Sequence, residues 1–153
     1  MSRDAVFRKL RELQPLPIRA HRMSDVSPER VSWLWAPYIP LGKLTMLEGD
    51  PGVGKSFITA RLARDVSLGA VPGSGRGPAT VLMFTAEDGL ADTLRPRLDS
   101  MGADVRRIVA VDEPLDLSAP NALDRLRETI DEYKPALVTI DPLVAFLGGK
   151  IDM

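Results

Sequence analysis

The chain has 153 residues, 44% apolar and 27% charged, with no cysteine and one histidine. That is the make-up of one globular domain with a buried core, and it excludes a disordered chain, a disulfide scaffold and a thiolate metal site. A net charge of −1 announces no global basic field for nucleic acid.

The charge is uneven, however: Arg3, Arg8, Lys9, Arg11, Arg19 and Arg22 outweigh Asp4 and Glu12 at the N-terminus. Such an arm is a solvated helix and linker or, alternatively, a nucleic-acid contact. His21 alone cannot build a metal site. The N-terminus lacks the apolar run of a signal peptide, and no stretch approaches the ~20 apolar residues that span a bilayer. The expectation is a soluble, cytoplasmic protein with no membrane partner.

In chain order, Val6, Leu10 and Leu13 predict a short amphipathic helix over 4–14, ended by Pro15 and Pro17. A proline-punctuated lead-in follows over 15–42. It carries Trp33, Trp35 and Tyr38, which anchor it to a core or, alternatively, stack on a base. The expected division is therefore an N-terminal segment, 1–32, and a core, 33–153. Leu44–Glu48 reads as a buried strand, and Lys55–Leu68 as a helix capped by Gly69. The glycine- and proline-rich stretch 70–79 is a loop. Thr80–Thr85 predicts a second strand, and Gly89–Met101 a helix with a kink or restart at Pro96. Arg107–Val111 predicts a third strand. A helix capped by Ser118 runs to about Tyr133, with Leu123, Leu126 and Ile130 on one face. Ala136–Ile140 is the fourth strand, delivering Asp141. Apolar strands alternating with helices imply an α/β fold with a parallel sheet covered on both faces.

Gly49-Asp50-Pro51-Gly52-Val53-Gly54-Lys55-Ser56 has the pattern G-x-x-x-x-G-K-S. The glycines allow a tight turn with no Cβ in the way of phosphates. The N–H groups of the loop and the positive end of the following helix then face an anion. Lys55 supplies a compact cation for the β- and γ-phosphates, and Ser56 a hydroxyl for Mg²⁺. The expected ligand is ATP with Mg²⁺. Asp141, at the C-terminal end of an apolar strand, is placed to hold a Mg²⁺-bound water. Glu87, just past the second strand, is placed to orient or activate the attacking water. Alternatively, Glu87 and Asp88 only open the next helix, where acids suit the dipole.

The order LGKLTMLEGDPGVGKS, VLMFTAEDG, LRPRL, ALVTIDPLVAFLGGK resembles RecA-like P-loop ATPases of the plasmid RepA replicative-helicase type, within the AAA family ATPases, over roughly 33–152. The resemblance implies a RecA-like core, ring homo-oligomers with ATP at subunit boundaries, and single-stranded DNA as a partner. It implies that Glu87 is the catalytic glutamate and Asp141 the metal-side carboxylate, and that Asp50, Pro51 and Val53 give backbone contacts. The family's later strands, DNA-facing loops and arginine finger have no counterpart before Met153, so the expected object is the N-terminal part of such a core, weak as an ATPase by itself. A P-loop kinase acting on a small acceptor, and a nucleotide-binding fragment without catalysis, are the alternatives.

Overall fold

Three apolar segments that pair side by side organise the chain. The computed structural model describes residues 19–113 and 115–147. The helix expected over 4–14 lies outside them, as does Lys150. The chain divides into two units, Met1–Arg30 and Val31–Met153. Of the first, the described part is a single 3₁₀ turn, Met23–Asp25, in exposed chain that includes His21.

The second unit opens with an antiparallel ribbon, β1 (Trp33–Trp35) against β2 (Ile39–Pro40). Helix α1 (Lys55–Leu68) follows, then β3 (Val81–Thr85), a π-helical turn (Leu90–Leu94) and α2 (Arg95–Ser100). The last elements are β4 (Ile108–Val111), α3 (Ala122–Tyr133) and β5 (Leu137–Asp141). The main sheet is parallel, in the order β4-β3-β5. The result is a mixed α/β domain with helices on both faces of a parallel sheet, the architecture of a RecA-like P-loop domain.

Side-chain alternation along β3 separates two apolar layers. Val81 and Met83 pack with Ala60, Ala63 and Val66 of α1 and with Leu94 and Leu98. Leu82 and Phe84 pack with Ala122, Leu126 and Ile130 of α3, and with Phe146 beyond β5. Every residue of β3 is buried, as its central place demands. Phe146 meets Phe84 edge-on with ring centroids 6.1 Å apart, a favourable aromatic geometry.

Helix α1 ends where the sequence predicts. Gly69 has φ +67°, and a Cβ there would lie 2.6 Å from the nitrogen of Pro78. Only glycine lets the helix stop and the returning chain pass so close. Ala79 then donates to the Val66 carbonyl at 3.1 Å, delivering the chain to the start of β3.

Several boundaries differ from the sequence expectations. Leu44–Glu48 forms no strand: it pairs with no segment among the described residues, and Leu44 and Met46 are 89% and 67% exposed. An apolar run with strand propensity becomes a strand only when a neighbour completes its hydrogen bonds. Around Pro96 the expected kink takes the form of a π-turn before α2, with Pro96 in the first turn of α2, where its missing N–H costs least. Helix α3 starts at Ala122, later than a Ser118 cap implies, because the Ser118 hydroxyl and N–H both donate to Asp116. The later start turns Ala122, Leu126 and Ile130 inward and leaves Leu123 62% exposed. In the lead-in, the deepest anchor is Leu34, which lies between the two tryptophans and is buried with Val66 and Val71.

Among the described residues, no helix is long and apolar enough to cross a membrane.

Candidate functional site

The P-loop sequence lies in a turn, residues 51–54, that runs straight into α1. Gly52 and Gly54 have φ of +79° and +93°, conformations that side chains rarely adopt. The Lys55 ammonium curls back over the loop and donates to the carbonyls of Gly49 (2.7 Å) and Asp50 (2.9 Å). Gly54 closes the first turn of the helix by accepting from Phe57 (3.1 Å) and Ile58 (3.0 Å). The N–H groups of Gly54, Lys55 and Ser56 have no backbone acceptor among the described residues. Free N–H groups, a helix N-terminus and a nearby ammonium together form an anion cradle.

Strand order and helix direction decide what surrounds the cradle. The C-terminal end of α1 lies at the start of β3, through the Ala79–Val66 bond. Because α1 packs along β3 and β5, its N-terminus and the P-loop lie toward the C-terminal ends of those strands. Thr85 pairs in register with Asp141, so β3 and β5 finish together at that edge. Along β5, Leu137 joins the α1 layer while Val138 and Ile140 join the α3 layer. By alternation Asp141 sits on the face of the sheet covered by α1, the helix whose first residues are Lys55 and Ser56. Asp141 is half-buried, and its carboxylate makes no hydrogen bond among the described residues.

Two residues earlier on the same face, the Thr139 hydroxyl is buried without a partner.

The loop after β3 brings in the second carboxylate. The Ala86 N–H donates to the Asp141 carbonyl at 3.2 Å, which stitches the turn to the end of β5. Asp88 is ion-paired to Arg97 of α2. Glu87 is exposed and makes no ion pair or hydrogen bond among the described residues. The two neighbouring acids therefore differ in kind: one is neutralised and the other is free. Asp88 and Arg97 stand nine residues apart with the π-turn between them, so no helical spacing in the sequence pairs them.

The direction of α1 turns its N-terminus toward the end of the sheet where β3 and β5 finish, β3 followed by Glu87 and β5 carrying Asp141. Gly49–Gly54 are exposed and make no hydrogen bond to either acid among the described residues. The ribbon carrying Trp33, Trp35 and Tyr38 is not part of that edge. Its Leu34 lines a cavity of about 310 Å³ with Val66, Gly69, Pro78 and Ala136, at the opposite ends of the strands. Trp35 and Tyr38 pack on each other there, with centroids 4.9 Å apart. Of the three aromatics, Trp35 packs against the core, whereas Tyr38 is 63% exposed.

The residues present fit a magnesium nucleotide: a cradle of free N–H groups, an ammonium, a hydroxyl at the helix start and one unpaired carboxylate on the same face. The described residues hold no cluster of three or more His, Cys, Asp or Glu. Mg²⁺ does not require one, since it keeps waters and binds through one or two protein groups plus phosphates.

The fold and this edge define the class of a P-loop nucleotide-binding domain. A family model described as an AAA domain matches residues 9–152, and the chain belongs to that family. Membership indicates ATPase activity of the P-loop type. No curated protein and no solved structure matches the chain.

Proposed function

We propose that this chain binds ATP with Mg²⁺ at Gly49–Ser56 and hydrolyses it, with Glu87 directing the attacking water. In this reading the backbone of Asp50, Pro51, Gly52, Val53 and Gly54 wraps the phosphates. Lys55 exchanges its contacts with the Gly49 and Asp50 carbonyls for phosphate oxygens. Ser56 would hold Mg²⁺ through its hydroxyl and Asp141 through a metal-bound water, and the ion would neutralise phosphate charge. Glu87 accepts a proton from water or orients it toward the terminal phosphate. The observation that carries the assignment is the contrast within the turn after β3: Asp88 is occupied by Arg97, and Glu87 is free.

The same observation weighs against a kinase with an arginine-rich lid, because Arg95 and Arg97 are both committed, to Asp99 and Asp88. With those arginines engaged, isolated copies hydrolyse slowly, since an arginine finger typically contributes ~10³–10⁵ in rate. A ring of copies acting on single-stranded DNA, as in RepA-type helicases, completes the proposal. The order of the P-loop, the AED turn and the Asp141 strand supports it.

The test is phosphate release at saturating Mg·ATP, with and without single-stranded DNA. Glu87→Gln keeps ATP affinity and loses turnover by ~10²–10⁴, the usual contribution of a general base. Turnover that survives Glu87→Gln overturns the catalytic assignment. A parent rate indifferent to DNA removes the coupling to it.

A further inference from the structure

We propose that Arg97 is a positioning residue: clamped on Asp88, it fixes the Ala86–Gly89 turn and so holds Glu87 at the nucleotide edge of the sheet. The proposal rests on the hydrolytic reading above. Glu87 makes no polar contact of its own among the described residues, so its place is inherited from its neighbours.

On one side of Glu87, Ala86 is tied to the Asp141 carbonyl at 3.2 Å. On the other, the Gly89 carbonyl accepts from Thr93 (3.2 Å) and Leu94 (2.9 Å), which opens the π-turn. Between those ties, the Thr85 hydroxyl donates to the Asp88 carbonyl at a long 3.5 Å, and the Asp88 carboxylate pairs with Arg97, nine residues later. The far end of that pair does not drift. Arg97 sits on α2 beside Leu98, which is buried with Leu94 in the core. Both partners are only 27% exposed, so water competes weakly for them.

Arg95 provides an internal contrast. It lies on the same short helix and also holds a carboxylate, Asp99. That pair stays within the helix at i,i+4 and is 60% and 50% exposed. One arginine braces the helix against itself, and the other braces the turn that carries Glu87. The clamp has an electrostatic consequence as well. By neutralising Asp88 it leaves Glu87 as the one acid of the turn without a cation, and so the one free to interact with water.

The experiment follows single-turnover hydrolysis of Mg·ATP by the full chain, together with ATP affinity and backbone amide exchange. Arg97→Gln lowers the rate by ~10–100-fold with ATP affinity unchanged, the scale of a small misplacement at a reacting centre. Arg97→Lys recovers most of the loss, because only one guanidinium nitrogen contacts Asp88. Arg95→Gln stays within about twofold of the parent, as expected for an exposed pair. Adding Asp88→Asn to Arg97→Gln costs nothing further, since the two residues act as a unit.

Exchange at Ala86 and Leu94 quickens in Arg97→Gln and not in Arg95→Gln. An Arg97→Gln chain that matches the parent in rate and exchange overturns the proposal. So does one whose rate falls only in step with ATP affinity. If Arg97→Gln unfolds, the Arg97→Lys rescue and its exchange pattern decide. A parent no faster than Glu87→Gln overturns the role of Glu87 and the kinetic half with it, and amide exchange alone then decides whether Arg97 holds the turn.

Discussion

The P-loop and the Ala86–Gly89 turn, the two parts of the proposed site, are built in opposite ways. The loop is tied to itself: among the described residues the Lys55 ammonium reaches the carbonyls of Gly49 and Asp50 alone, and Gly54 starts its own helix. The turn is tied to distant parts of the chain, to Asp141 through Ala86 and to Arg97 through Asp88. A phosphate cradle can be encoded in eight consecutive residues because backbone N–H groups do most of its work. A carboxylate that must meet that cradle depends on strand register and on a helix packed elsewhere.

That contrast can be broken or sharpened by three substitutions. The largest effect is expected from Lys55→Ala. Removing the ammonium from a phosphate site costs on the order of 2–5 kcal/mol of ATP binding, by analogy with truncating a buried charge pair. Unfolding stability should barely change, since the ties Lys55 makes are local and exposed. Titration with labelled Mg·ATP, paired with a denaturant midpoint, reads both quantities. Unchanged ATP affinity would remove the P-loop from the site.

Gly69→Ala tests a position where local and distant demands coincide. The positive φ and the approach of Pro78 at 2.6 Å from a built Cβ together imply a loss of about 1–3 kcal/mol in stability. Chemical denaturation measures it. A loss below about 0.5 kcal/mol would mean that the returning chain shifts freely, and that the cap is purely local.

Ser118→Ala carries the smallest effect. The Ser118 side-chain hydrogen bond, followed by its backbone N–H, holds the Asp116 carboxyl below the ordinary carboxylate range. A depressed folded-state pKa contributes stability above the unfolded carboxylate's pKa, and that contribution is lost as pH falls through the folded value. Ser118→Ala should raise the Asp116 pKa toward its ordinary value and shrink this acid-side dependence, as read by NMR titration of the carboxyl. An unmoved titration would show that Ser118 is not the donor that sets it.

What was legible in the sequence follows the same division. Helix α1 was readable end to end, since the glycine at its cap and the G-K-S at its start are local signals. β3, β4 and β5 were found within a residue at each end, because their apolar runs are short and bounded by turn residues. Leu44–Glu48 carries the same composition and forms no strand, because its pattern states a willingness to pair and says nothing of a partner. The start of α3 was misplaced for a related reason: a serine suited to capping was already engaged by Asp116, a local competition that propensity alone does not resolve.

By itself the sequence determined the α/β alternation, the P-loop and its lysine, and the presence of acids after two of the strands. These depend on backbone conformation and on residues close in the chain. Only the tertiary structure decided that Thr85 and Asp141 end in register, that Asp141 faces the α1 layer, and that Arg97 takes Asp88 and leaves Glu87 free. Those outcomes depend on which strands are neighbours and on where a second helix is buried. Pairing and packing energies between distant segments set both, and no window of sequence contains them.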